Sequence, residues 1–267
     1  MNTEFPRVTT RGHFDLRTGK DLGKSNSYYL YPSKKFTSIT KSKEIVIFIH
    51  GMRNSRWGAQ NGGKILRRTL RKIGYKKHPV VSFSYDADVR EAHKPERYNK
   101  VLRVANSIAK KNGKLLAKFI DDLYEKNPEI KVHLVGHSLG CNVVEHTKTN
   151  VSTIHLLGSP VEINSVKEIA RYADTVINYY NPKDDVIREG VDKGDLKKPS
   201  CLNKVDIKNV KSKRCNAVHH GFSAYAEKMR KFPWNIWRTI KCHIHNIGGE
   251  QCQWVLHYSF MHGYQIY

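Results

Sequence analysis

Apolar runs and segments of helical periodicity alternate along most of the chain. Runs rich in β-branched residues predict strands that are buried on both faces, and apolar residues at every third or fourth position predict helices with one buried face. The predicted strands cover residues 44–49, 79–85, 131–135, 153–158, 175–180 and 205–210, and the predicted helices cover 62–73, 98–126, 139–148 and 166–172. This alternation favours an α/β protein, a three-layer α/β/α sandwich with a mostly parallel central sheet.

The same pattern divides the chain into three parts. Residues 1–43 are polar and predict an irregular N-terminal segment with one candidate short strand at 28–31. Residues 44–230 carry the strands and helices of the core, and residues 231–267 predict a C-terminal appendage packed on that core. The connection between the predicted strands 153–158 and 175–180 is short, which leaves no room there for a large inserted cap domain.

A Gly-x-Ser-x-Gly motif directly follows the predicted strand 131–135. Gly136, Ser138 and Gly140 stand between this strand and the helix predicted after it. Small residues two positions before and after the serine let the backbone turn sharply, and the N-terminus of the helix can stabilise negative charge near the exposed hydroxyl. The motif also occurs by chance, but between a strand and a helix it predicts Ser138 as a nucleophile.

A nucleophilic serine needs hydrogen-bond donors for the oxyanion that forms when it attacks a carbonyl. One donor is the backbone N–H of the residue after the nucleophile, here Leu139, and the second comes from a loop after an earlier strand. The predicted strand 44–49 ends in His50-Gly51, and the N–H of Met52 is therefore the predicted second donor. We expect His50 itself to hold this loop by a hydrogen bond rather than to carry a proton.

A carboxylate just beyond a later strand would orient the base histidine and stabilise its imidazolium form. The predicted strand 175–180 is followed by two adjacent aspartates, Asp184 and Asp185. Asp184, which precedes Val186 by two positions in an Asp-x-Val pattern, is the preferred acid, and Asp185 is the alternative.

The base histidine should follow the acid in the chain order Ser, Asp, His, yet the chain contains 14 histidines. His219 and His220 lie in a predicted loop before a helical stretch that ends at Met229. His219, with an aromatic residue three positions further on, is the predicted base, and His220 is the alternative. Histidines inside strands or inside the serine motif are expected to be structural, namely His133, His137 and His155. Later histidines that the order also allows are His243, His245, His257 and His262.

These motifs together resemble the α/β-hydrolase superfamily in its lipase and esterase-like branch. The resemblance rests on the motif around Ser138, the strand that ends in His50-Gly51, the Asp184 region and the His219-His220 region. Across residues 43–230 it implies the eight-stranded type of sheet, complete or shortened, and no cofactor. It further implies a serine hydrolase that cleaves carboxylic esters, lipid esters included, through an acyl-enzyme. The chain departs from a typical lipase because it has no recognisable apolar lid.

The formal charge of +23, from 47 Lys and Arg against 24 Asp and Glu, is the strongest anomaly in the composition. A charge of this size creates a long-range field that attracts phosphate groups, so an anionic membrane surface or a nucleic acid is an expected partner besides the small-molecule or lipid ester. The basic residues are spread over several segments and match no RNA-binding motif. A basic binding protein on a hydrolase scaffold is the alternative function, and a solvated lysine-rich surface is the simplest explanation of the charge.

The sequence shows neither a run of about 18 apolar residues, as a membrane-spanning helix requires, nor an apolar N-terminal segment typical of a signal peptide. We therefore expect a cytoplasmic protein that can associate peripherally with membranes through its charge. The sequence does not indicate an oligomeric state.

The five cysteines do not form the pattern of a disulfide framework. In an exported protein Cys201 could pair with Cys215, or Cys242 with Cys252. A cluster near the C-terminus fits no standard zinc spacing, so no metal site is predicted there; its members are Cys242, His243, His245, Cys252 and His257.

The predicted appendage begins with alternating aromatic and basic residues between Met229 and Lys241. Tryptophan beside arginine and lysine suits a membrane interface. The spacing of Phe232, Ile236 and Ile240 instead favours a terminal helix packed on the sheet, and this is the preferred interpretation.

Overall fold

The computed structural model describes residues 4–24, 26–76, 78–88 and 98–230. In these residues eight strands form a single sheet, namely β1 (Arg7–Thr9), β2 (Tyr29–Tyr31), β3 (Glu44–Ile49), β4 (Val80–Ser84), β5 (Lys131–His137), β6 (Val151–Leu157), β7 (Ala173–Tyr180) and β8 (Val210–Arg214). Across the sheet the strands follow the order β2-β1-β4-β3-β5-β6-β7-β8. All neighbouring strands are parallel except β1 and β2, which confirms the prediction of a mostly parallel sheet.

Seven α-helices accompany these strands in the described residues. They are α1 (Ser33–Ile39), α2 (Arg56–Lys72), α3 (Tyr98–Lys126), α4 (Leu139–Glu145), α5 (Ile163–Ile169), α6 (Asp185–Asp192) and α7 (Phe222–Ala226). None of them is both long and apolar enough to cross a lipid bilayer.

Side chains of the central strand β3 show that helices cover both faces of the sheet. The ring of Phe48 lies 4.3 Å from that of Phe222 in α7, measured between ring centroids, and also faces Gly62 of α2. Its neighbours Ile47 and Ile49 point to the other face and belong to the core cluster that contains the buried residues of α3 and α4. This arrangement confirms the three-layer α/β/α sandwich, and it explains why β3 is a continuous apolar run.

The parallel strands end at a common edge of the sheet. The loop after β3, the turn after β5, the segment after β7 and the loop after β8 therefore meet there. Ligands of open α/β sheets bind at this carboxyl edge.

The described part of the N-terminal segment, predicted as irregular apart from a short strand at 28–31, contributes two strands to the sheet. β1 pairs in parallel with β4, and β2 pairs with β1. Val8 and Phe14 belong to the main core cluster. A three-residue strand is too short to produce a periodic pattern, and the polar neighbours Arg7 and Thr9 hide the single apolar position of β1.

Two further elements differ from the prediction in position. The sequence predicts the last strand at 205–210, but β8 begins at Val210, because Val205 and Ile207 pack on the core from the preceding loop. β8 itself is rich in lysine and arginine, as is common for the outermost strand of a sheet. The first long helix begins at Arg56 rather than at 62, since the side chain of Ser55 caps it.

Three cysteines lie in the described residues, and all three are free thiols: Cys141, Cys201 and Cys215. The considered pairing of Cys201 with Cys215 is therefore not formed in this structure. The other cysteine pair, the cluster of cysteines and histidines near the C-terminus and the predicted appendage 231–267 lie outside the described residues.

Gly113, in the middle of α3, permits a close contact with the end of α4. A Cβ at this position would lie 2.6 Å from the backbone carbonyl carbon of His146. Glycine inside a helix normally marks either a kink or close packing, and here α3 runs unbroken from Tyr98 to Lys126.

We expect Gly113→Ala to lower the free energy of unfolding by about 1–3 kcal/mol, the usual cost of overpacking, although alanine is the better helix former. Urea-induced unfolding measures the change. The matched control is Lys114→Ala, an exposed position on the same helix, which should leave the stability nearly unchanged. An equal or higher stability of Gly113→Ala would show that the two helices do not pack this closely.

Candidate active site

Ser138 lies at the turn between β5 and α4, where the backbone is sharply bent. Its φ of 53° and ψ of −128° lie outside the regions that non-glycine residues normally adopt. The flanking glycines permit the turn because larger residues would collide with the backbone. A Cβ at Gly140 would lie 2.3 Å from the carbonyl oxygen of Ile49. A Cβ at Gly136 would lie 3.2 Å from the carbonyl oxygen of Gly140. The turn has the geometry of a nucleophile elbow.

His220, in the loop between β8 and α7, connects Ser138 to Asp184. Its Nε2 lies 2.9 Å from the serine Oγ, and its Nδ1 lies 2.9 and 3.0 Å from the two carboxylate oxygens of Asp184. Since an ionised carboxylate can only accept hydrogen bonds, Nδ1 carries the proton. The unprotonated Nε2 then accepts the hydrogen bond that the serine hydroxyl donates.

Asp184 is fully buried after the end of β7, where its side chain also caps α6. Its Oδ1 accepts a hydrogen bond from the N–H of Ile187 at 3.0 Å, and its Oδ2 accepts one from the hydroxyl of Tyr225 at 2.5 Å. Burial alone raises the pKa of this carboxyl, but the hydrogen bonds and the attraction to His220 outweigh burial and lower the pKa. Asp184 is therefore ionised at neutral pH.

The structure brings His220 rather than His219 to the serine. His219 is exposed, and its Nδ1 accepts a hydrogen bond from the N–H of Gly221 at 3.0 Å. The prediction of His219 as the base is therefore wrong, and His220, the alternative, lies between Ser138 and Asp184. The side chains of two adjacent loop residues point in different directions. The path of the loop decides which histidine faces Ser138, and this path cannot be predicted from a single sequence.

Of the two adjacent aspartates, the structure brings Asp184, the preferred one, to the histidine. Asp185 is exposed and forms the first turn of α6. A carboxylate at that position stabilises the positive end of the helix.

Tyr225 is a member of the site that no sequence motif indicates. Its fully buried ring lies in α7, and its hydroxyl donates to Asp184 while the Sγ of Cys201 lies 3.1 Å from the hydroxyl oxygen. In the sequence this tyrosine looks like an ordinary apolar position of a helix, and no motif marks its hydroxyl as a partner of the carboxylate.

The loop after β3 lies directly against the serine turn. A Cβ at Gly51 would be 2.8 Å from the Cβ of Ser138. Met52 and Leu139, the two residues predicted to supply oxyanion donors, both border the same cavity as the serine. Donation by their backbone N–H groups to an oxyanion stays a prediction.

His50 and Arg11 hold this loop in place. The Nδ1–H of the buried His50 donates to the carbonyl oxygen of Gly51 at 2.9 Å, and its Nε2 accepts from the N–H of Tyr85 at 3.3 Å. Burial lowers the pKa of His50 to about 3, so this imidazole is neutral. Arg11, a second residue that no sequence motif indicates, donates to the carbonyl oxygen of Asn54 at 2.8 Å.

The histidine inside the serine motif supports the backbone of the base. Burial lowers the pKa of His137 to about 3, and the ring is therefore neutral. Its Nε2 lies 2.8 Å from the carbonyl oxygen of His220, and donation to this oxygen requires the proton on Nε2.

A cavity of about 540 Å³ opens beside Ser138. Residues of α3 and α4 form one wall, and residues of α6 and the segment after it form another. This volume is within the range of small-molecule sites. In the described part of the chain, no group of three or more His, Cys, Asp or Glu is arranged to hold a metal ion.

The sheet order, the sharp serine turn and the contacts of Ser138, His220 and Asp184 define the fold, which is of the α/β-hydrolase type. Residues 33–155 match the model of a family described as "Alpha/beta hydrolase of unknown function (DUF900)". The match and the fold together confirm the resemblance to α/β hydrolases.

Two solved structures are similar to this chain at low identity. A Trichoderma reesei cutinase in complex with a phosphonate inhibitor is 20% identical with a TM-score of 0.30, over 48% of this chain and 59% of the cutinase chain. An acetylxylan esterase is 10% identical with a TM-score of 0.31, over 65% of this chain and 82% of the esterase chain. The chain therefore spans less than two thirds of the cutinase. No curated protein matches the chain.

We expect Tyr225→Phe to lower the free energy of unfolding at pH 7 by about 1.5–3 kcal/mol, the value of a buried hydrogen bond to a charged group. The pKa of Asp184 is lower in the folded state than in the unfolded state, where it is about 4. The ionised carboxylate therefore stabilises the fold fully above about pH 4, and this stabilisation is lost as the pH falls through the pKa of the folded state. The cost of Tyr225→Phe should therefore shrink between pH 7 and pH 3.

Urea-induced unfolding at both pH values measures this cost. Tyr124→Phe is the matched control, because the hydroxyl of Tyr124 donates at 2.7 Å to the backbone carbonyl oxygen of Asn150, which does not titrate. A cost of Tyr225→Phe that is equal at the two pH values would contradict a hydrogen bond to an ionised carboxylate.

Proposed function

We propose that the protein is a serine hydrolase that cleaves carboxylic esters, lipid esters among them, through an acyl-enzyme. The observation that carries the proposal is the continuous line of contacts from Ser138 through His220 to Asp184, at distances of 2.9 to 3.0 Å. The tautomer derived for His220, with the proton on Nδ1 and a lone pair on Nε2, is the one that a general base for serine requires.

In the first half of the reaction the Oγ of Ser138 attacks the carbonyl carbon of the ester while its proton passes to Nε2 of His220. Asp184 is ionised and stabilises the resulting imidazolium without taking its proton. When the tetrahedral intermediate collapses, the bond to the leaving alcohol breaks and the imidazolium gives its proton to the departing oxygen. The product of this half is an acyl-serine.

The negative oxygen of the tetrahedral intermediate needs donors that are already in position. The proposed donors are the backbone N–H groups of Met52 and Leu139, the residues that border the cavity beside the serine. The support for the loop of Met52 comes from the hydrogen bonds of His50 and Arg11, which fix its backbone.

In the second half of the reaction water replaces the alcohol. His220 accepts a proton from the water as its oxygen attacks the acyl-serine, and then returns the proton to Oγ when the carboxylic acid leaves. Both halves use the same imidazole, which must stay in contact with Ser138 and Asp184 throughout.

We expect Ser138→Ala and His220→Ala each to lower kcat for p-nitrophenyl butyrate by about 10⁴–10⁶-fold, as in other serine triads. His219→Ala is the matched control, since it removes the adjacent, exposed histidine and should keep the kcat of the wild type. A fluorophosphonate probe should label the wild type and fail to label Ser138→Ala.

Two results would reject the assignment. Labelling that persists in Ser138→Ala, or a folded wild type that neither reacts with the probe nor hydrolyses any ester, would reject the nucleophile. Loss of activity in His219→Ala together with full activity in His220→Ala would reject the base.

A further inference from the structure

The cavity beside Ser138 has one wall that is polar and positively charged. Asn99, Arg103 and Asn106 line it from α3. Their spacing of one helical turn brings the three side chains to one face of the helix. Asn142 lines the same wall from α4.

Arg103 is available to a ligand in this cavity. It is exposed, and in the described part of the chain it forms no ion pair, whereas Arg171 pairs with Glu168 at 2.6 Å. The neighbouring amides are linked to each other, because the Nδ2 of Asn142 donates to the Oδ1 of Asn106 at 3.1 Å. This bond leaves the Nδ2 of Asn106 and the guanidinium of Arg103 as donors, and the buried Oδ1 of Asn142 as an acceptor that has no partner in the described residues.

The second wall is mainly apolar. Val186 and Ile187 line it from α6, and Leu196 lines it from the segment after that helix. Asp195, next to Leu196, is the only carboxylate among the described lining residues, and its Oδ2 has no hydrogen-bond partner there. A negative charge on this wall repels an anion and so directs the anionic part of a ligand to Arg103.

We propose that the substrate is an ester that carries an oxyanion group, a carboxylate or a phosphate, and that Arg103 binds this group. The proposal rests on the ester hydrolysis proposed above. A guanidinium matches the oxygens of carboxylate and phosphate with two parallel hydrogen bonds. The uncharged part of the substrate then lies against Val186 and Ile187, within reach of Ser138.

The test compares kcat/KM for matched anionic and neutral esters. For the acyl side, mono-p-nitrophenyl adipate, which carries a carboxylate at the end of its acyl chain, is compared with the neutral p-nitrophenyl hexanoate. On the alcohol side, 4-(hexanoyloxy)benzoate and 4-(hexanoyloxy)phenyl phosphate, each against phenyl hexanoate, separate carboxylate from phosphate. We expect the wild type to prefer at least one anionic ester to its neutral match by about tenfold, the value of one charge-assisted hydrogen bond.

Variants of Arg103 assign this preference to one side chain. Arg103→Ala should lower the ratio of anionic to neutral kcat/KM by about tenfold. Arg103→Lys should retain part of the ratio, because lysine keeps the charge but loses the planar pair of donors. Lys110→Ala is the matched control: it removes one exposed positive charge from α3 at a position that lines a different cavity, and it should leave the ratio unchanged.

Two outcomes overturn the proposal. If the wild type hydrolyses neutral esters at least as well as anionic ones, the protein has no oxyanion site. If Arg103→Ala and Lys110→Ala lose the preference for anionic esters equally, the preference comes from the general positive field of the protein. In both cases esters are still cleaved and Ser138 still reacts with the fluorophosphonate probe. Failure of both reactions would instead reject the proposed hydrolase function.

Discussion

The buried carboxylate of Asp184 is the interaction on which the candidate site depends. A buried charge is tolerated only where hydrogen bonds replace the lost water. Three donors from different segments do this: the N–H of Ile187 in α6, the imidazole of His220 after β8 and the hydroxyl of Tyr225 in α7. One anion thus fixes the relative positions of three segments that follow the last strands. It also holds the imidazole in the single orientation that lets Nε2 face Ser138.

The position of the serine is set by backbone contacts rather than by charge. The carbonyl oxygen of Ile49 occupies the space that a side chain at Gly140 would need, and Ser138 itself occupies the space next to Gly51. Because backbone atoms cannot rotate away as a flexible side chain can, the ends of β3 and β5 approach in only one way. The strained dihedral angles of Ser138 are held by this packing, and its hydroxyl points out of the sheet.

The parts of the molecule that could be predicted are those with a strong local signature. Strands 44–49 and 131–135 are covered on both faces and therefore form long apolar runs, and the glycines around Ser138 reflect a local steric need. The choice between His219 and His220 depends on the path of a loop, which no local pattern encodes. The contact of Tyr225 with the carboxylate depends on tertiary packing, and the strands β1 and β8 are too short or too polar to give a hydrophobic period.

The N-terminal segment looks dispensable in the sequence but has two structural tasks. Arg11 holds the carbonyl oxygen of Asn54 in the loop that carries Met52, and β1 pairs with one side of β4. A fragment that began at residue 44 would lose the support of that loop and would leave the backbone groups along one side of β4 without partners. Unpaired strands of this kind recruit strands from other molecules. Pairing with β1 therefore keeps β4 in the interior of the sheet and moves the open edge outward to the short strand β2.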